Sequence, residues 1–285
     1  MNTNSLSAPG SLQLPDLYVA TRSQEAKDLI KDIMVEYASS ASGPVSILEA
    51  GCGRKWNIDL TDIPKEITGV DSDRFALEHR VNVIRDLDHA IYGDLRTAKL
   101  PENAFDIVYC CYVLEHIDGV ETVLRNFARW VKPGGILILR FPDRNSVFGF
   151  MTRKLPFWVH ILRSRLTGIR GAGQPGNGPY PTVYDPVLCR EGIRCFANNA
   201  GLSITHEYGT LTRMTGTHLA YGITTLENLM MRVIAAISGY KLSYQHAGLI
   251  YALERKAHQV TASDSAGVAP ESLSTSSPGT SAITT

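Results

Sequence analysis

The chain has 285 residues, 44% of them apolar, and a formal net charge of zero. That is enough apolar material for one large domain with a full core, and the neutral balance gives no general attraction to nucleic acid. Cys52, Cys110, Cys111, Cys189 and Cys195 have neither a disulfide framework nor zinc spacing. With no secretory leader evident and no apolar run near the roughly 20 residues of a membrane span, the expectation is a cytoplasmic chain without a metal.

In chain order, residues 1–22 read as a flexible polar arm. Residues 23–37 carry Ala26, Leu29, Ile30, Ile33, Met34 and Tyr37 at helical spacing. After Gly43-Pro44, residues 45–49 form a short apolar run, the pattern of a strand buried on both faces. The link from Arg54 to Glu66 has room for a short helix only, interrupted by Pro64. A second strand follows at 67–71, a helix at 74–83, a weak third strand near 89–93 and a fourth strand at 105–111. Val120, Val123, Leu124, Phe127 and Trp130 mark the next helix, which Lys132-Pro133-Gly134-Gly135 ends before a fifth strand at 136–140. From about 143 to 190 the alternation stops, and the stretch includes a Gly/Pro-rich loop at 171–186. A helix at 191–199, a strand at 202–208, an apolar stripe from Leu226 to Ile237 and a last strand at 247–254 complete the domain. Residues 257–285 are rich in Ser, Thr, Ala, Gly and Pro and read as a disordered tail.

The chemistry concentrates where strands end. Glu49 precedes Gly51 and Gly53, Asp71 ends the second strand, and Gly93-Asp94 follows the third. Acids and glycines at successive strand ends suit a ligand lying across the carboxyl edge of a sheet. The dinucleotide fingerprint requires a third glycine where Trp56 stands, which disfavours NAD or FAD.

LEAGCG (48–53), GVDSD (69–73), GDL (93–95), FDIVYCCYVLEHI (105–117) and VKPGGILIL (131–139) resemble, in order and spacing, the motifs of class I S-adenosylmethionine-dependent methyltransferases. The small-molecule branch with the ubiquinone and menaquinone methyltransferases is the nearest in flavour. Lys55, where many members have glycine, and the short first crossover are departures. The resemblance implies a doubly wound α/β fold with a mostly parallel seven-stranded sheet in the order 3-2-1-4-5-7-6, the last strand antiparallel, and a helical cap inserted after strand five. It also implies S-adenosyl-L-methionine as cofactor. By similarity, Glu49 approaches the methionine ammonium, the backbone of Gly51, Cys52 and Gly53 lies against the cofactor, and Asp71 with neighbouring Ser72 faces the ribose. Asp94 and Leu95 would meet the adenine, with Cys110 and Cys111 beside the methionine.

His116 is the nearest candidate for a general base. Tyr180, Tyr184 and Asp185 are substrate candidates in the long loop. The expected acceptor is a small lipophilic or aromatic molecule, methylated on oxygen in preference to nitrogen. Residues 147–166 mix aromatic and basic side chains without an acid, which suits either a lid or peripheral membrane contact. Two alternatives remain: a non-catalytic cofactor-binding regulator, and an aminopropyl transferase on the same fold. The second should leave more acids near the acceptor.

Overall fold

The computed structural model describes residues 16–166, 180–211 and 218–256. The expected tail and residues 1–15 of the expected arm lie outside that set. An eight-stranded sheet forms the centre, in the spatial order β1-β7-β8-β6-β5-β2-β3-β4. The strands are β1 (Tyr18–Ala20), β2 (Val45–Ala50), β3 (Lys65–Asp71), β4 (His89–Tyr92), β5 (Phe105–Cys111), β6 (Val131–Pro142), β7 (Leu202–Thr210) and β8 (Gly248–Arg255). All pairs are parallel except β8 with its two neighbours. The seven expected strands therefore take the expected order.

The eighth strand is a correction to the seven-stranded expectation. Tyr18–Ala20, read from sequence as part of the arm, pairs with the outer edge of β7 from Tyr208 to Thr210. A three-residue strand is too short to leave a period-two signal, and pairing covers an otherwise open sheet edge.

Two apolar layers hold the sheet. On one side, α1 (Ser23–Ser39) buries Ala26, Ile30, Ile33 and Met34 against Ile47, Ile107 and Ile138. On the other, α3 (Val120–Trp130) buries the five residues of its apolar stripe, joined by Ile193 and Ala197 of α6 (Arg190–Asn199). The link between β2 and β3 contains no helix at all. Ile58 and Leu60 tuck instead into the α1 layer, so α1 does the covering that a crossover helix would do.

After β3 the expected single helix is divided: α2 (Arg74–His79) widens into a π-turn at Arg80–Ile84. Pro156 divides the insertion, as its ring requires, into α4 (Val147–Lys154) and α5 (Phe157–Leu166). Ser146 caps α4 by accepting the Gly149 N–H at 2.9 Å. Asp143 ties the cap to the last strand, its carboxylate 2.8 Å from His246 Nε2 and its N–H on the Ala247 carbonyl. The Leu226–Ile237 stripe lies on α7 (His218–Ile237).

Candidate active site

The carboxyl ends of β2, β3 and β5 meet at one edge of the sheet, where the crossovers reverse direction. Gly51 turns there with φ of +74°, and a Cβ on it would stand 2.3 Å from Val113 Cγ2. Only glycine fits that turn. Gly53 donates its N–H to Asp71 Oδ2 at 2.7 Å, and Asp73 donates to Oδ1 at 2.8 Å. Each Asp71 oxygen keeps a second lone pair, so a diol can still donate to it. The glycine turn and the carboxylate are thus one hydrogen-bonded unit.

Behind this turn lies a group that sequence reading missed. Arg80 is fully buried; it donates to Glu49 Oε2 at 2.8 Å, to Asp86 Oδ1 at 2.6 Å and to the Cys52 carbonyl at 2.8 Å. Burial pushes the Glu49 carboxyl upward, and the guanidinium opposes that shift. Through Arg80 the Oε2 oxygen of Glu49 is thus tied to the glycine turn. The π-turn beginning at Arg80 carries this side chain inward, a geometry with no signature in a 3.6-residue period.

The other expected cofactor residues divide. Ser72 is exposed just beyond β3, and Leu95 is buried with its carbonyl held by Asn126. Asp94 is taken up by Arg96, 2.5 Å away, which holds its carboxyl below the usual range. Cys110 is buried in the α3 layer, while Cys111 faces the α1 layer. Cys52 is buried as well, and burial pushes its thiol up to about 12. These thiols are packing groups, inert as nucleophiles.

Beside this edge the cap walls one side of a half-open cavity of about 980 Å³. Tyr112 and His116 line it from the sheet, Phe148 and Phe157 from the cap, Tyr180 and Tyr184 from the loop. His116 Nδ1 sits 2.7 Å from the Pro181 carbonyl. A carbonyl only accepts, so Nδ1 carries the proton and Nε2 keeps a free lone pair. Burial lowers the His116 pKa, and the bond to Pro181 only partly offsets this. Tyr184 accepts a hydrogen bond from Thr152 at 3.0 Å. Asp185 does not reach the cavity: its carboxylate takes the N–H groups of Val120 and Val187 and so holds the start of α3. The bond to Val187 is the local one a turn residue makes, and the bond to Val120 reaches a helix start 65 positions away.

Among the described residues, no cluster of His, Cys, Asp or Glu could hold a metal, and no helix is long and apolar enough to cross a membrane. The expected basic face of residues 147–166 is thinner than its sequence: Arg153 turns back onto the Gly149 and Arg144 carbonyls. Trp158, Leu162, Leu226 and Ile237 remain exposed on α5 and α7.

Comparison with known proteins agrees with this geometry. Residues 48–139 match a family model described as a methyltransferase domain. Phosphoethanolamine N-methyltransferase 3 of Arabidopsis thaliana is 25% identical over 141 residues, which are 45% of this chain and 28% of that protein. The chain thus spans under a third of that relative's length. A ubiquinone biosynthesis O-methyltransferase of Bordetella pertussis is 27% identical over 173 residues, 53% of this chain and 70% of that one. Among solved structures, a chain of the complex between the Haloferax volcanii Trm112 methyltransferase activator and a methyltransferase superposes with a TM-score of 0.52 at 13% identity, covering 81% of this chain and 94% of the other, a likeness of fold. The glycine turn that admits no side chain and the Asp71 carboxylate with lone pairs to spare both fit S-adenosylmethionine as cofactor. Residues 48–139 of this chain are thus a methyltransferase domain of the S-adenosylmethionine-dependent kind.

Proposed function

We propose that the protein transfers a methyl group from S-adenosylmethionine to a small, largely apolar acceptor bound in the 980 Å³ cavity. The observation that carries this is adjacency: Tyr112 and His116, directly after β5, line the cavity at the same sheet edge as the Gly51–Asp71 unit. Asp71 and the backbone of 51–53 would hold the cofactor, which supplies an electrophilic methyl on a sulfonium. The chain's own part is alignment, exclusion of water by α4 and α5, and removal of the acceptor's proton. His116 Nε2 is placed for that last task, its tautomer set by Pro181. The accepting atom is oxygen or nitrogen; the relatives include both kinds.

Calorimetric titration with S-adenosylmethionine, S-adenosylhomocysteine and NAD tests the reading. Micromolar binding of the adenosyl compounds and none of NAD is expected, and Asp71→Ala should weaken binding by about 1–3 kcal/mol through lost charged hydrogen bonds. Absence of adenosyl binding by the wild-type chain would end the proposal. For His116, the basic form is the active one, so kcat should rise with pH and level off below the ordinary histidine value near 6.5. His116→Gln should lower kcat about 10²–10⁴-fold and abolish that limb; a variant that keeps the limb would remove His116 from the base role.

Peripheral membrane contact through 147–166 remains part of the proposal, supported by exposed Trp158 and Leu162 beside the cavity wall. Flotation with anionic vesicles measures it, and a chain that stays with the bulk phase rules it out.

A further inference from the structure

The cavity holds one carboxyl that neither the fold nor the proton-transfer step consumes. Glu115 is 3% exposed and lines the cavity, yet its Oε2 has no hydrogen-bond partner. Its backbone carbonyl accepts from Val183 and Tyr184, which fixes the residue against the loop. No lysine or arginine stands within ion-pair distance of it among the described residues, which sets it apart from Glu49, Asp106 and Glu207. The titratable groups around it are Tyr112 and Tyr184, the buried Cys110, the half-buried Cys111, and His116, whose Nε2 is 3.8 Å from Oε1; His160 lines the same cavity, and the Arg140 guanidinium lies over the Tyr112 ring. Arg153 also lines the cavity, but its guanidinium is spent on two backbone carbonyls.

A buried acceptor without a donor costs free energy that a ligand's donor can recover. Around this acceptor the walls are the rings of Tyr184, Phe148 and Phe157, whose faces attract cations, and Tyr112, which already carries the Arg140 guanidinium on one face. An anionic acceptor would meet the carboxyl unfavourably, and a plain hydrocarbon would leave Oε2 unpaired. Resting on the methyl-transfer reading, we propose that Glu115 recognises the acceptor, and that the acceptor is an amine carried on an apolar or aromatic body. The amine enters as its ammonium form, gives N–H hydrogen bonds to Glu115, and passes one proton to the lone pair of His116 Nε2, leaving its nitrogen lone pair free. Burial of the carboxyl, which pushes its pKa up to about 8 in the free protein, adds a signature. An ammonium beside it favours the ionised form, so binding at neutral pH releases a proton to solvent.

The test is calorimetry on the full chain saturated with S-adenosylhomocysteine, using a panel of aryl- and alkylamines, each paired with the alcohol of the same shape. Titrations run near pH 7 in two buffers of different ionisation enthalpy. The amines should bind at least tenfold tighter than their alcohols, with a buffer-dependent heat that reports proton release. Glu115→Gln should erase both the preference and the proton release while leaving alcohol affinity in place, and Glu115→Asp should keep part of the preference. Equal affinity within every pair, a preference for the alcohols, or a preference surviving in Glu115→Gln would overturn the proposal. Failure of S-adenosylhomocysteine to bind at all would instead strike the methyl-transfer reading, so the two failures are distinguishable.

Discussion

Arg80→Met should cost about 3–5 kcal/mol of folding stability, measured by urea unfolding at neutral pH. The guanidinium is fully buried and satisfies three acceptors from three segments: Glu49 at the end of β2, the Cys52 carbonyl in the glycine turn, and Asp86 beyond the π-turn. Methionine fills much of the volume but leaves the Glu49 carboxyl, the Cys52 carbonyl and the Asp86 carboxylate without the donor they share. Removing one partner of a buried pair is far costlier than the pair's net worth, because the remaining ion stays desolvated. Cofactor affinity should fall in the same variant, since the Cys52 carbonyl is held by this side chain. Arg80→Lys keeps the charge but not the fork that reaches three acceptors, and should fall in between. A loss below about 1 kcal/mol for Arg80→Met would mean that the Glu49 pair contributes little to the native state.

Glu115→Gln should make stability less dependent on pH, with the variant gaining on the wild type as pH rises. The free carboxyl titrates near 4.5, and burial raises it to about 8 in the folded chain. Between those values the unfolded chain has released a proton that the folded chain retains. The unfolded state is therefore favoured progressively, and wild-type stability falls as pH climbs from about 4.5 through about 8. Glutamine cannot ionise in either state and escapes this loss. Near pH 4 the two proteins should be similarly stable; near pH 8 the variant should be ahead by on the order of 4 kcal/mol. Thermal unfolding at several pH values measures the gap. A gap that does not widen with pH would show that Glu115 is not held neutral in the fold. The residue would thus be a site kept at the expense of stability, which is common where a buried polar group waits for a ligand.

The two variants also show which part of the molecule was readable from sequence. Strands β2, β3, β5 and β6 were plainly legible, because a buried parallel strand is a contiguous apolar run, while the exposed β4 left only a weak signal. Asp71 and the turn at 51–53 were legible for the same reason: their chemistry is written in neighbouring positions. Strand β1 was not, because three residues carry no period. Asp185 was misjudged, since whether an acid caps a helix 65 residues away or faces a ligand depends on where its loop returns.

Local pattern and order therefore determined the sheet, its carboxyl edge and the glycine turn there. Tertiary structure decided the rest of the site. Only folding brings Arg80 to within 2.8 Å of Glu49, across 31 positions, and so ties that carboxyl to the glycine turn. Only folding sets the Pro181 carbonyl against His116, 65 positions away, and so chooses which nitrogen carries the proton. Glu115 stood in plain view inside the LEHI motif, yet nothing in sequence says that one carboxylate is desolvated and unpaired while another is neutralised. Charge state depends on burial and on partners distant in the chain, and those are properties of the packed molecule alone.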